Sequence, residues 1–175
     1  MHKFLKRFSF LVLLFLWTGN VLAAARAEVV YPDWFKESFY DLPEELVEAR
    51  DAGKEGLLLF FSMKTCSYCN AIIETTFQEQ DIVEPLRDRY HVIGIDVFSD
   101  TEVVDTSGNT HWMKDFAVQE KAMFTPTMIF YDTDGERQLS LIGSLSPGKL
   151  AGESSCLDSR HQREIKIREI KINSV

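Results

Sequence analysis

The chain has 175 residues, 45% of them hydrophobic and 12% aromatic, which is enough for one well-packed domain and hardly enough for two. Its formal net charge of −8 at pH 7 argues against nucleic acid or anionic lipid as a partner.

The first residues stand apart from that domain. His2, Lys3, Lys6 and Arg7 precede an apolar run from Phe8 to Trp17 broken only by Ser9, and small-residue-rich Val21-Leu22-Ala23-Ala24-Ala25 follows. Basic, apolar and small-residue stretches in that order are the layout of a secretory signal. The apolar core falls short of the roughly 20 residues that a membrane span needs. Residues 1–25 are therefore expected to be a signal peptide cleaved after Ala25; Ala23 and Ala27 also fit as cleavage sites, and an uncleaved membrane anchor is the alternative. Cleavage removes Lys3, Lys6 and Arg7 and no acid, so the exported, periplasmic form is more acidic by three charges. Disulfides persist outside the cytoplasm, and an exposed cysteine pair cycles there only if something supplies or removes electrons.

From Val29 to Lys54 the pattern predicts helix. Trp34, Phe35 and Phe39 form an apolar set expected to pack in the core, Asp41 is a plausible N-cap with Pro43 early in the next helix, and Leu42, Leu46, Val47 and Ala49 follow at helical spacing until Gly53 stops it. Leu57 to Phe61 is an unbroken apolar run of buried-strand length, apolar on both faces as a strand covered by helices on two sides should be. A helix carrying Cys69 is expected to reach about Gln78. Asp81 with Glu84 reads as a capping box opening the next helix, to about Arg89, with Pro85 near its first turn. Val92 to Val97 is a second interior strand. Asp100 to Thr110 is polar and turn-rich, with Val103-Val104 as a short hairpin arm, and Trp112 to about Lys121 reads as helix. Thr127 to Tyr131 and Gln138 to Ile142 are strands joined by the turn Asp132-Thr133-Asp134-Gly135. A βαβ unit followed by a late hairpin implies an α/β fold with a mixed sheet and helices on both faces.

Between the first strand and its helix lies Lys64-Thr65-Cys66-Ser67-Tyr68-Cys69. A cysteine at a helix N-terminus meets unpaired backbone N–H groups and the positive end of the helix dipole, which favour thiolate, and Lys64 adds a cation nearby. Two intervening residues let the sulfurs close a disulfide within the first helical turn. Cys66 then attacks a partner disulfide and Cys69 resolves the mixed disulfide, without a cofactor. Half of a zinc site is the first alternative, but Cys156, His91, His111 and His161 are not in paired spacing. A purely structural staple is the second, and so short a loop constrains the unfolded chain little.

These pieces, with Phe124-Thr125-Pro126-Thr127-Met128-Ile129-Phe130 and Gly143-Ser144-Leu145-Ser146-Pro147-Gly148-Lys149-Leu150, resemble the thioredoxin fold and, within it, the periplasmic SoxW-like group. The likeness spans roughly residues 33–150 and implies a central mixed sheet of four to five strands. It implies a cis bond before Pro126, facing the disulfide, with Thr125 and Pro126 shaping a groove in which an extended substrate pairs beside Cys66 and Ser67 and Tyr68 bordering it; Phe124 is read either as an exposed apolar contact for a partner or as core filler. It also implies a closing helix started by Ser146 or Pro147. Four departures stand out. Thioredoxins proper carry a buried acid on the central strand where Phe60 lies, so Glu74 or solvent would handle the proton; Thr65 replaces an aromatic; Phe124 stands where many relatives have glycine; and Asp100 to Thr110 is longer than in a minimal thioredoxin.

The domain is expected over 26–157. Residues 158–175 contain the tandem pentads Arg163-Glu164-Ile165-Lys166-Ile167 and Arg168-Glu169-Ile170-Lys171-Ile172, whose period of five gives no single apolar face, so a poorly ordered tail is expected. The resulting reading is an exported thiol-disulfide oxidoreductase, a monomer. It reduces protein disulfides and is recharged by a membrane electron donor of the DsbD or CcdA type. The alternative is a copper-binding or client-escorting module without turnover, with Met63, His91 and Met123 as added ligands beside the two thiolates.

Overall fold

The computed structural model describes residues 27–143 together with Gly148, Leu150 and Gly152. The expected signal peptide, Cys156 and the pentad tail lie outside the described residues. The elements are α1 (Leu42–Asp51), β1 (Gly56–Ser62), α2 (Ser67–Glu74), a 3-10 turn (Thr76–Gln78), α3 (Gln80–Arg89), β2 (Tyr90–Asp96), β3 (Glu102–Val104), β4 (Thr110–Trp112), α4 (Met113–Gln119), β5 (Thr127–Asp132) and β6 (Arg137–Ile142).

Four strands form one mixed sheet in the order β2-β1-β5-β6. β1 runs parallel to β2, from Gly56 opposite Tyr90 to Ser62 opposite Asp96, and antiparallel to β5. All seven residues of β1 are buried, because successive side chains feed opposite faces and both faces are covered. Leu58 and Phe60 join Met128 and Phe130 under α2 and α3, which contribute Ile72, Ile82 and Leu86. Leu57, Leu59 and Phe61 join Ile129 and Tyr131 under α1 and α4, which contribute Leu42, Leu46, Met113 and Phe116. Gly148, Leu150 and Gly152 are helical, and Leu150 is buried in the first of these layers, where a closing helix was expected.

The structure corrects the boundaries where local signals competed. The stretch from Val29 to Tyr40, expected to be helical, forms no helix, whereas the helix expected behind Asp41 starts at Leu42, capped by the Asp41 carboxylate, which accepts from Glu44 N–H at 3.1 Å. The preceding residues run irregularly along the edge of β2, where Lys36 N–H bonds Val92 O at 2.7 Å, and Tyr40 turns left-handed at φ 62°, a conformation no helix continues through. Of the aromatics assigned to the core, Phe35 is buried and Trp34 packs against it, but Phe39 is 99% exposed. The capping box at Asp81 is not formed. The N-cap lies two residues earlier, at Glu79, which makes no side-chain bond, and α3 begins at Gln80, so Asp81 falls inside the first turn, where its charge still complements the dipole. Pro85 is consequently inside α3 and not in its first turn, and it leaves the Asp81 carbonyl without its usual intrahelical donor. α2 ends at Glu74, short of Gln78, because Thr75 departs from helical dihedrals and a 3-10 turn follows.

The polar stretch after β2 folds as a separate hairpin, β3 against β4. The buried Asp105 carboxylate holds its turn, accepting from the Ser107 and Asn109 N–H groups at 2.9 Å and bonding His111 Nε2 at 2.8 Å. Burial works against that charge, but the bonds from Asn109, His111 and Ser107 outweigh it and hold the carboxyl down to about 2.

Candidate active site

The parallel strand β1 ends at Ser62, and the chain crosses Met63-Lys64-Thr65 to reach α2 at one end of the sheet. Cys66 is the N-cap of that helix. Its Sγ takes the place of a capping oxygen, accepting the Cys69 N–H at 3.1 Å, so one free helix donor points at the first sulfur. Cys66 and Cys69 are joined in a disulfide. Cys66 is 5% exposed and Cys69 is fully buried, so a partner can reach only the first sulfur.

The second wall of the site comes from the loop that leads into β5. The Thr125–Pro126 peptide bond is cis. Thr125 Oγ1 donates toward Cys66 Sγ at 3.5 Å, and β5 begins its ladder at Thr127, which leaves Thr125 outside the sheet. Thr127 Oγ1 donates to Phe124 O at 2.5 Å and Gly143 N–H to Pro126 O at 2.8 Å, so the loop is fixed from both sides. Tyr68 and Phe124, 68% and 77% exposed, are large apolar side chains open to solvent beside the pair, and Ser67 is exposed between the cysteines.

The predicted residues therefore meet at one end of the sheet: Cys66, Cys69, Ser67 and Tyr68 from the start of α2, Phe124, Thr125 and Pro126 from the start of β5. A thioredoxin-like family model matches residues 42–153 and includes every one of them. The chain belongs to the thioredoxin-like family. Two solved structures share this fold: a thioredoxin from Thermus thermophilus, 21% identical over 67% of this chain and 84% of its own, TM-score 0.52, and a DsbH oxidoreductase, 18% identical over 81% and 92%, TM-score 0.50. No curated protein sequence matches. A thioredoxin-like domain that carries a C-x-x-C pair at disulfide distance is a thiol-disulfide oxidoreductase. Among the described residues no helix is long and apolar enough to cross a membrane.

Several features of this thioredoxin-like site were not visible in the sequence. Lys64 is not a free cation beside Cys66, because its ammonium pairs with the Glu28 carboxylate at 3.1 Å. Phe60, where the buried acid was missed, is wholly buried in the cluster that contains both cysteines and packs against Phe35 and Phe77. Glu74 is exposed at the far end of α2. Of the extra copper ligands weighed, His91 lies opposite Leu57 at the other end of β1 from Ser62, Met123 packs in the layer under α1 and α4, and only Met63 also touches the layer that holds the sulfurs. His91 instead stands near Glu45 and Glu48, whose carboxylates already hold the Lys36 ammonium at 2.5 and 2.8 Å. Tyr31 and Ser62 form a further polar pair at the base of the loop, their oxygens 2.7 Å apart. Burial is the main cause that pushes the Tyr31 phenol up to about 12, with Tyr40 and Asp96 adding to it against the Ser62 bond.

Proposed function

We propose that the protein is an exported reductase of protein disulfides in which Cys66 attacks and Cys69 resolves. The observation that carries this reading is the asymmetry of the pair: Cys66 caps the helix, keeps a small exposed edge and meets the half-buried Thr125, whereas Cys69 is sealed in the core. The Cys66 thiolate attacks one sulfur of a substrate disulfide; the Cys66–substrate bond forms as the substrate bond breaks, and the departing sulfur takes a proton. The Cys69 thiolate then attacks Cys66 Sγ, which forms the intramolecular disulfide and releases the second substrate sulfur as a thiol. Two electrons have passed to the substrate. A membrane donor of the DsbD or CcdA type returns two electrons and two protons to the pair.

Thr125, outside the β5 ladder, offers its backbone to an extended substrate segment, and Tyr68 and Phe124 supply apolar contact on either side. Residues 1–25 act as the signal that takes the chain to the periplasm as a monomer, and the SoxW-like likeness supports a reducing role there. Lys64 contributes to Cys66 reactivity to the extent that Glu28 leaves its charge free.

Two measurements test this. With Cys69→Ser, a disulfide-bonded peptide is expected to stay attached to Cys66, and with Cys66→Ser no adduct forms; trapping at Cys69 would reverse the roles. The pair is expected to equilibrate near the roughly −270 mV of thioredoxin, and a value at or above about −180 mV would mean an oxidant or isomerase. Mass spectrometry of the protein from a periplasmic fraction is expected to find a chain that begins at Arg26.

A further inference from the structure

The loop that presents Cys66 is braced from outside by four residues that the thiol chemistry does not use, Ala27, Glu28, Val29 and Tyr31. Asn70 Nδ2, in the first turn of α2, donates to Ala27 O at 3.1 Å. Val29 N–H donates to Lys64 O at 2.9 Å, and Glu28 beside it holds the Lys64 ammonium at 3.1 Å. The Tyr31 hydroxyl lies 2.7 Å from Ser62 Oγ, at the last residue of β1. Residues 27–31 thus touch the loop where it leaves the strand, at its middle, and at the helix it enters.

The segment has a seat of its own. The Tyr31 ring stacks on Phe35 at 5.5 Å, meets the edge of Phe60 at 6.4 Å, and lies so close over β2 that a Cβ at Gly94 would come within 2.6 Å of it. Any side chain at Gly94 must displace that ring.

We propose that Ala27–Tyr31 is a strap that positions the dithiol loop, and that Glu28, seated by the strap, sets the redox balance of the Cys66–Cys69 pair by holding the Lys64 ammonium away from Cys66. This deepens the oxidoreductase reading and rests on it. A free cation near the first cysteine stabilises its thiolate and with it the reduced state. Exposed ion pairs are usually weak because two long side chains must be ordered together. Here the Val29–Lys64 backbone bond brings the two backbones side by side while both side chains stay largely exposed, so the effect belongs in that weak range. Glu28 is a positioning residue: it acts on Lys64, and Lys64 acts on the sulfur. Gly94 is a positioning residue one step further out, through Tyr31.

The test equilibrates the full chain, carrying Cys156→Ser so that only two sulfurs count, with glutathione. One Cys66–Cys69 disulfide and two glutathione thiols exchange with one dithiol and one glutathione disulfide, two electrons and two protons passing. Glu28→Gln is expected to move this equilibrium about two- to five-fold toward the dithiol and to speed alkylation of Cys66 by a similar factor, an effect that fades in about 1 M salt. Gly94→Ala is expected to move it in the same direction, and the double variant no further than the larger single. In a Lys64→Gln background the Glu28→Gln shift is expected to fall below half. Should Gly94→Ala fail to fold, Tyr31→Phe, which removes only the hydroxyl, carries the same expectation. An unmoved equilibrium in Glu28→Gln, shifts that add in the double variant, or a full Glu28→Gln shift without Lys64 would each overturn the strap alone. An unmutated pair that never titrates as a two-electron couple would take down the oxidoreductase reading and the strap with it.

Discussion

Phe60 is an apolar residue at the position where the resemblance to thioredoxins leads to the expectation of a buried carboxylate, and its truncation measures what the ring contributes. The ring is wholly buried and lies 5.9 Å from Phe35, 5.5 Å from Phe77 and 6.4 Å from Tyr31, each in an edge-to-face arrangement or near it. Phe→Ala in a packed core costs about 3–5 kcal/mol through lost transfer and the cavity left behind. Aromatic pairs add roughly 0.5–1.5 kcal/mol each beyond burial. With three such neighbours Phe60→Ala belongs at the top of the range, about 5 kcal/mol, which approaches the whole stability of a small domain. Phe60→Leu keeps most of the volume and loses the ring edges, so about 1.5 kcal/mol is expected, and this variant still folds if the first does not. The assay is urea unfolding of the oxidised protein, comparing midpoints at constant slope. A loss under about 2 kcal/mol for Phe60→Ala would mean that the layer beneath the disulfide is loosely packed, and the argument that an apolar wall seals Cys69 would fail.

Three further expectations follow from single contacts. Thr125→Val removes the hydroxyl that faces Cys66 Sγ; turnover of a peptide disulfide should fall several-fold while the unfolding free energy in urea changes by less than about 1 kcal/mol, and unchanged turnover would show that this hydroxyl does not touch the reacting sulfur. Phe124→Ala should raise KM for a folded protein substrate and leave the reduction of a small disulfide unaltered, since the side chain is 77% exposed and contributes little to stability; equal loss on both substrates would place it in the chemistry instead. Asp105 has a folded pKa of about 2 against an ordinary value of 3.8, so its charge contributes stability that is complete above about pH 4 and is lost as the pH falls through 2. Asp105→Asn should therefore cost about 1–3 kcal/mol at neutral pH, with the gap to the unmutated protein closing near pH 2, and a gap that stays constant would rule out the carboxylate as its source.

The parts of this protein that could be read from the chain are those whose cause is local. Leu57 to Phe61 is a buried strand because five consecutive apolar residues have no other comfortable place; the strand read at Val92 to Val97 overlaps β2, which runs Tyr90–Asp96, and the turn residues Asp132 to Gly135 mark the hairpin between β5 and β6. Cys66-Ser67-Tyr68-Cys69 marked the site because its spacing is itself the chemistry. The reading failed where two local signals of similar strength competed. Asp81 with Glu84 satisfies the capping-box pattern, yet the helix begins at Gln80, one residue before it. Trp34, Phe35 and Phe39 look alike in sequence, and only packing against Phe60 and Phe77 distinguishes the first two from the third.

The strap belongs to a different class of omission. Ala27 to Tyr31 has no cap or turn signature of its own, so the chain reads as helix from Val29 onward and as part of a cleavage region before it. Its role exists only in contacts made over 31 or more positions of chain, Tyr31 to Ser62, Val29 to Lys64, Ala27 to Asn70, and in the missing side chain of Gly94. A glycine in mid-strand was the one available signal, since a strand gives up packing there unless something must come close. The same distance makes the reasoning testable: a methyl group at Gly94, on the edge strand, should be felt at Cys66 through a tyrosine ring, a five-residue strap and a single ion pair, and a stability effect alone would not produce it.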